Sequence, residues 1–336
     1  MAPTLRRAAI LLCSLMLVVA ASGHALAGVL DDQTRAERAI GYLRTKQKPN
    51  GSIPAFSPIG STADAVLAIV SAGVGPRILQ DALDYLRSQA AAGHVEGIGL
   101  KAKVVLAVDA AGGNPRRVGG RNFVRQIRLS AGPDGHLDEA AVFDHALGVL
   151  ALLAAEATVP AGATQWLLDG QCPDGGWAYD SPYDPVNDDV HCVSDPSTDF
   201  FSSDTNTTSY VVQALVAASD SGWTDPFAFF DTARDLDKGG WAYSTAFIAT
   251  DANSTALVLQ AYAAAAVSVP GGGRAALRHL QYAKCGAWAY AYDGDVKGAP
   301  NVGATIGAGP GLLLDPLPIT GAALGAAPRT PRCPVS

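Results

Sequence analysis

Two textures of apolar and polar residues alternate along the chain. Between Asp32 and Gln47 the apolar residues Ala36, Ile40, Tyr42 and Leu43 fall at helical spacing and leave a polar face. From Ala63 to Ala72, opened by Ser61-Thr62, nearly every position is apolar. An amphipathic helix followed by a wholly apolar one predicts an outer and an inner layer. The alternation recurs as Pro76–Ala92 with Ile98–Ala111, Arg117–Leu129 with Glu139–Ala155 (helix start at Asp138), and Ala163–Gly170 with Asp204–Ala218. It continues as Asp225–Leu236 with Asp251–Ala266, and Arg274–Lys284 with a Gly-rich helix near Val302–Leu314. Six outer and six inner helices are predicted, with an irregular tail from about residue 315.

A short turn punctuates the pairs. Gln171-Cys172-Pro173-Asp174-Gly175-Gly176-Trp177 returns as Lys238-Gly239-Gly240-Trp241 and Gly286-Ala287-Trp288, with weaker echoes at Asn50-Gly51 and Asp134-Gly135. Glycine permits positive φ there, and the aromatic residue that follows can fold inward. From Gly51 through Gly97, Gly135, Gly175 and Gly239 to Gly286 the steps are 46, 38, 40, 64 and 47 residues. The long step contains an acidic, Pro- and Ser-rich insertion, residues 181–203. A chain built of such helix pairs buries each repeat against its neighbours. Ala65, Ala68, Ala214, Ala217, Ala256 and Ala261 allow inner helices to crowd around one axis, so the predicted fold is an all-α (α/α)6 toroid.

Arg6 and Arg7, the apolar run from Ala8 to Ala21 and Ala25-Leu26-Ala27 read as a secretory signal peptide over residues 1–27, with one domain over 28–336. Losing Arg6 and Arg7 takes the formal charge from −7 to −9. An acidic chain argues against nucleic acid and anionic membranes. No later stretch is apolar over the length of a membrane span. The expected location is the exterior of a bacterial cell. Cys172, Cys192, Cys285 and Cys333 remain after cleavage, an even number that suggests disulfides with three possible connectivities. The pairing Cys172–Cys192, closing the insertion, and Cys285–Cys333, tying down the C-terminus, is favoured.

With Trp166-Leu167 before it, the turn from Gln171 through Gly175 to Trp177 resembles the QW repeat of the prenyltransferase and squalene-cyclase family. In the fifth copy Arg234 stands near the Gln position, and in the sixth Lys284 and Cys285 precede the glycine. The resemblance implies structural roles for Gln171, Gly175, Trp177, Trp241 and Trp288. It also implies the toroid superfamily, which includes cobalamin carriers and complement-like thioester domains as well as enzymes, so the fold alone does not give the activity.

The family's chemical signatures are missing. Asn187-Asp188-Asp189 and Asp235-Leu236-Asp237 do not match the Asp-x-Asp-Asp acid of such cyclases, and no Cys-Gly-Glu-Gln thioester occurs. Asp189, His191 and Cys192 have zinc-ligand chemistry but crowd into one loop that favours a disulfide, so no metal site is assigned and no cofactor is expected. Calcium held by the carboxylates of Asp180, Asp184, Asp188, Asp189, Asp195 and Asp199 is the weaker alternative to a solvated acidic lid, because the spacing is not that of an EF-hand. Leu317-Pro318-Ile319-Thr320-Gly321 matches a sortase pattern without the hydrophobic tail that sorting needs, and reads as coincidence or relic.

Two matched helix starts remain: Asp204-Thr205-Asn206-Thr207-Thr208 leading to Gln213, and Asp251-Ala252-Asn253-Ser254-Thr255 leading to Gln260. The aspartates read first as N-caps. Asn206, Thr208, Gln213, Asn253, Thr255 and Gln260, with His145, are the candidate ligand-binding groups, because inner-helix starts face one mouth of a toroid. They suit hydrogen bonding to a neutral ligand. Asp144, Asp204 and Asp251 are the weak catalytic candidates; Lys101 and Lys103 on the second inner helix read either as cavity-lining or as packing cations, with Lys101 the partner considered for Asp144. The expected function is therefore a secreted, non-catalytic toroid for a small, largely apolar or cofactor-like ligand. The alternatives are a terpenoid-cyclase-like or glycan-active enzyme, or a protein-interaction module using residues 181–203.

Overall fold

The computed structural model describes residues 32–138, 140–180, 192–198, 201–321 and 323–333. The signal peptide and most of the insertion, including Asp184, Asp188, Asp189, His191 and Asp199, lie outside the described residues.

The predicted pairs form. The outer helices are α1 (residues 32–46), α3 (Pro76–Ala92), α5 (Phe123–Leu129), α7 (Ala163–Asp169), α9 (Phe227–Thr232) and α11 (Gly273–Leu280). The inner helices are α2 (Pro58–Ala72), α4 (Ile98–Ala110), α6 (Val142–Ala154), α8 (Thr205–Ala217), α10 (Ala252–Ala264) and α12 (Val302–Leu313). Each inner helix packs on the next, and α12 packs on α2, so the ring closes as an all-α toroid. The outer layer closes as well: Asp32 of α1 is buried and ion-paired with Arg274 and Arg278 of α11, the latter at 2.6 Å.

Several boundaries differ from the sequence reading. Helix α2 begins earlier, because Ser57 caps it by accepting from the Gly60 amide. Helix α5 is shorter, because Gly119 and Gly120 both take positive φ. Asp138 itself has φ of 51°, and α6 starts four residues later.

The turns do the work the repeat suggested. Trp177, Trp241 and Trp288 are fully buried, and each indole donates to a carbonyl of its own outer helix: Leu167, Phe230 and Leu277 at 2.6–3.0 Å. A buried indole with its N–H satisfied holds both its area and its hydrogen bond. Gln171 Nε2 donates to Gly175 O in its own turn and to Thr224 O ahead of the next outer helix, so it links neighbouring repeats. Gln47 reaches Ile78 O and Gln281 reaches Arg35 O in the same manner. In the sixth repeat Gln281 thus fills the place that Lys284 and Cys285 obscured, since one extra residue separates it from the glycine. Arg234 fills that place in the fifth, donating to Gly271 O.

Cys172 pairs with Cys192, and Cys285 with Cys333. Residues 314–321 and 323–333 are tied to the ring. Leu317 and Ile319 are buried, Gly325 exchanges backbone hydrogen bonds with Gly73 and Gly75, and Cys333 anchors the end. Within the Leu-Pro-Ile-Thr-Gly string Leu317 and Ile319 thus pack into the ring, while Thr320 and Gly321 are exposed.

Candidate functional site

All six inner helices contribute early residues to one cavity of about 220 Å3: Ser61 and Asp64 from α2, Lys103 from α4, Phe143 from α6, Asn206 and Tyr210 from α8, Asn253 from α10 and Gly303 from α12. It therefore lies inside the ring, at the mouth formed by the inner-helix starts. Leu67, Leu257, Ile306 and Pro310 continue the wall as apolar surface. Leu317 and Ile319 of the C-terminal segment complete the lining.

The sequence-derived candidates separate into two sets. Asn206, Asn253 and Gln260 do line this cavity. Thr208, Thr255 and His145 do not: they are buried behind it and hold the turns. Thr208 Oγ1 accepts from the Trp177 amide, and Thr255 Oγ1 from the Trp241 amide, each at 2.9 Å. Thr62 and Thr305 do the same for Ile53 and Trp288. In the third repeat His145 replaces threonine, its Nδ1 accepting from Leu137 N at 3.3 Å while Nε2 bonds Ala163 O at 2.9 Å. Its expected ligand role is corrected accordingly. Burial in an apolar seam beside Trp166 pulls its pKa down to about 4, so it is a neutral imidazole.

Gln213 and Gln260 tether the C-terminal segment. Gln213 Oε1 accepts from Leu317 N at 2.9 Å, and Gln260 Nε2 donates to Asp315 O at 2.7 Å. Gln213 is fully buried and off the cavity, so its role as a ligand contact is corrected too.

Asp204 and Asp251 are N-caps, accepting from Thr207 N and Ser254 N at 2.8 Å. Burial pushes their pKa values up to about 7 and about 6, against the opposing hydrogen bonds. They lie outside the cavity lining, which leaves them a structural role. Asp144 is half-buried and does not line the cavity. Its carboxylate packs over Gly99 of α4, where an added Cβ would meet Oδ1 at 1.9 Å and would have to displace it. Burial raises its pKa, with Lys103 acting in the opposite sense.

The cavity holds a charged pair of which the sequence reading singles out Lys103 but not Asp64. Lys103 Nζ lies 2.7 Å from Asp64 Oδ2. Burial disfavours the charge on Lys103, but Asp64, Tyr210 and Asp144 together hold its pKa above the usual lysine range. Lys103, not Lys101, is thus the cation beside Asp144. Tyr210 stands against the same pair; burial raises its pKa to about 12, and its ring meets Phe143 edge-on at 4.8 Å. Asp64 gave no signal in the sequence, because one carboxylate in an apolar helix becomes meaningful only once α4 is placed beside it. Among the described residues, no group of three or more His, Cys, Asp or Glu could hold a metal ion.

No protein-family model matches the chain, and no curated protein matches it. The QW family therefore stays a resemblance carried by the turns. Solved structures do match in fold. A variant of the type II terpene cyclase MstE from Scytonema, in complex with geranylgeranyl dihydroxybenzoate, aligns at TM-score 0.55 and 13% identity over 86% of this chain and 98% of that one. A D-mannose isomerase aligns at TM-score 0.54 and 13% identity over 84% and 97%. A protein from Actinoplanes aligns at TM-score 0.52 and 16% identity over 84% and 98%. At these identities the likeness concerns the fold. It nonetheless overturns the expectation of a non-catalytic binder. The matching toroids include enzymes, and the cyclase is represented with both substrate and product. No described helix is long and apolar enough to cross a membrane.

Proposed function

We propose that the chain is an enzyme that moves protons on a compact, largely hydrocarbon substrate of the isoprenoid class, in the manner of a terpenoid cyclase or isomerase. The carrying observation is the Asp64–Lys103 ion pair, with Tyr210 beside it, in the mouth of a cavity whose wall is otherwise mostly apolar. Ionisable groups in such a place are costly unless they serve a reaction or a fixed partner. Its volume is below the roughly 300–1,000 Å3 of common ligand pockets, which favours a short substrate.

The chemistry balances without a co-reactant. The carboxylate of Asp64, ion-paired with Lys103, takes a proton from one carbon of the substrate and, as the acid so formed, returns it to another carbon across the double bond, giving an isomer of unchanged composition. Asp64 is the carboxyl that touches substrate, Lys103 fixes its position, and Tyr210 offers a hydroxyl to the same atoms. The side-chain oxygens of Asn206 and Asn253 are buried without a hydrogen-bond partner, so a hydroxyl on the substrate would supply the donor they lack. The rings of Phe143 and Tyr210 give the hydrocarbon part of the substrate an aromatic surface to pack on. Export to the cell exterior remains part of this proposal, in keeping with two disulfides.

The test is incubation of the mature protein with linear C10, C15 and C20 prenyl alcohols and a geranylgeranyl-substituted aromatic acid, with D-mannose in parallel, and analysis of products by mass spectrometry. An isomer of a prenyl substrate is expected. Asp64→Asn should lower turnover by about 100-fold or more, and Tyr210→Phe by a smaller factor. Mannose isomerisation with no prenyl product, or full turnover in Asp64→Asn, overturns the reading.

A further inference from the structure

A second site lies outside the ring. Lys101 and Lys103 are two residues apart on α4, and a helix turns about 200° over that interval. Lys103 therefore meets Asp64 in the central cavity, while Lys101 faces the opposite way. There it enters a cleft of about 550 Å3 between the start of α4 and helix α5. Arg121, Asn122, Arg125, Gln126 and Ser130 line the same cleft, and each carries a hydrogen-bond donor.

The charges in this cleft are unusual for the chain. Residues 110–133 contain Arg116, Arg117, Arg121, Arg125 and Arg128 and no Asp or Glu, in a protein of net charge −7. Some other arginines are engaged: Arg274 and Arg278 with Asp32, Arg87 with Asp84, and, within this stretch, Arg116 with the carbonyl of Ala155. Among the described residues, Lys101, Arg121 and Arg125 form no ion pair with a carboxylate. Three cations converging on one concavity repel each other in the empty state, and an oxyanion placed among them removes that repulsion. Guanidinium groups meet tetrahedral oxyanions through paired N–H donors. A smaller cleft of about 230 Å3 adjoins this one and shares Lys101, Arg121 and Gln126. Gly97 and Gly120 flank the two with positive φ, and nothing within 4 Å crowds the place of their missing Cβ atoms, so a ligand can approach the backbone there. Glu96 is the one carboxylate in the lining, confined to the smaller cleft.

We propose that this cleft binds a phosphoryl oxyanion, a phosphate or diphosphate group carried by a small molecule or a lipid headgroup, with Lys101, Arg121 and Arg125 as its ligands. The site is separate from the central cavity and does not depend on the reaction proposed for it. Adjoining pockets that share two cations favour a diphosphate over a single phosphate. Leu129, exposed at the cleft edge, gives an apolar substituent of the ligand a surface to rest on.

Titration calorimetry of the mature protein with inorganic phosphate, inorganic diphosphate and sulfate tests this directly, with phosphatidate-containing vesicles in a parallel sedimentation assay. Saturable one-to-one binding is expected, tightest for diphosphate and weakening as salt is raised. Arg121→Gln with Arg125→Gln should weaken it by about 10-fold or more, as should Lys101→Met alone. Arg38→Gln on α1, the same charge change as Lys101→Met, should leave it unaltered. All of these side chains lie at the surface or cleft edge, and unchanged melting temperatures would confirm that the variants are folded. Vesicle binding that needs Arg121 and Arg125, without binding of soluble phosphate, would assign the oxyanion to a lipid. No saturable binding in either assay, or equal weakening by Arg38→Gln, overturns the proposal.

Discussion

The two halves of the ring divide the labour. Repeats four to six keep the turn motif: Trp177, Trp241 and Trp288 are buried, with indoles bonded to Leu167, Phe230 and Leu277 and amides bonded to Thr208, Thr255 and Thr305. Repeats one to three put Ile53 and Leu137 at the turn, and His145 stands where threonine would be. The ionisable groups in and beside the cavity come from this less regular half: Asp64, Lys103 and Asp144 on α2, α4 and α6. The regular half supplies neutral groups, Asn206, Tyr210, Asn253 and Leu257. Where the motif is strict, the repeat is a packing device. Where it relaxes, charge has entered the inner wall. The largest way to break this division is Trp241→Ala. It removes a fully buried indole and leaves the Phe230 carbonyl without its donor, so a loss of about 3–5 kcal/mol is expected. Leu137→Ala in the third repeat should cost less, about 2–4 kcal/mol. Denaturant titration of the two variants checks the order. Equal losses would mean that the halves are stapled alike.

The buried caps of the regular half sharpen the comparison. Asp204 has its pKa pushed up to about 7 by burial, while an aspartate in the unfolded chain titrates near 3.9. Below about pH 4 both states are protonated. As pH rises towards 7 the unfolded chain ionises first and binds fewer protons, so this residue's contribution to stability falls across that window and is level above it. Asp204→Asn keeps the acceptor for the Thr207 amide and has no charge to desolvate. The variant should therefore gain on the wild type between pH 4 and 7, by a few kcal/mol at most. Melting temperatures across that range report it. A pH-independent difference between the two proteins would show that Asp204 titrates normally in the fold.

The sequence exposed what repeats and concealed what does not. Alternating amphipathic and apolar helices, recurring Gly–Trp turns and an even cysteine count led to the ring and both disulfides, because each rests on local spacing. Asn206 and Asn253 were found because matched helix starts repeat them. Thr208 and Thr255 repeat equally well, yet they hold turn amides. Two residues along a helix turns a side chain from the cavity to the seam behind it, and periodicity alone does not say which of the two faces the axis. Gln213 and Gln260 bind a segment about 100 and 55 residues downstream, at Leu317 and Asp315, a pairing that only closure of the ring creates. Asp64 and Lys103 come from different repeats with no motif between them, so their pairing had no local signature.

His145 tests whether the less regular half has kept the device of the other in altered form. It sits where Thr208, Thr255 and Thr305 sit and accepts from the equivalent turn amide, at Leu137. His145→Thr should therefore restore the common pattern, at a cost of about 1–2 kcal/mol near pH 7 for the ring contacts with Trp166 and the bond to Ala163 that threonine cannot make. The pH dependence separates this from simple loss of packing. The folded imidazole has its pKa lowered to about 4, whereas in the unfolded chain it titrates near 6.5. The unfolded state thus binds the extra proton first as pH falls, and the wild type loses stability from about pH 6.5 down towards 4. Threonine has no such proton. The variant should be the less stable protein at pH 7, with the gap closing as the solution is acidified. A gap that holds constant from pH 7 to pH 4 would mean that His145 titrates alike in the folded and unfolded chain, and that it is not held as a neutral substitute for threonine in the third repeat.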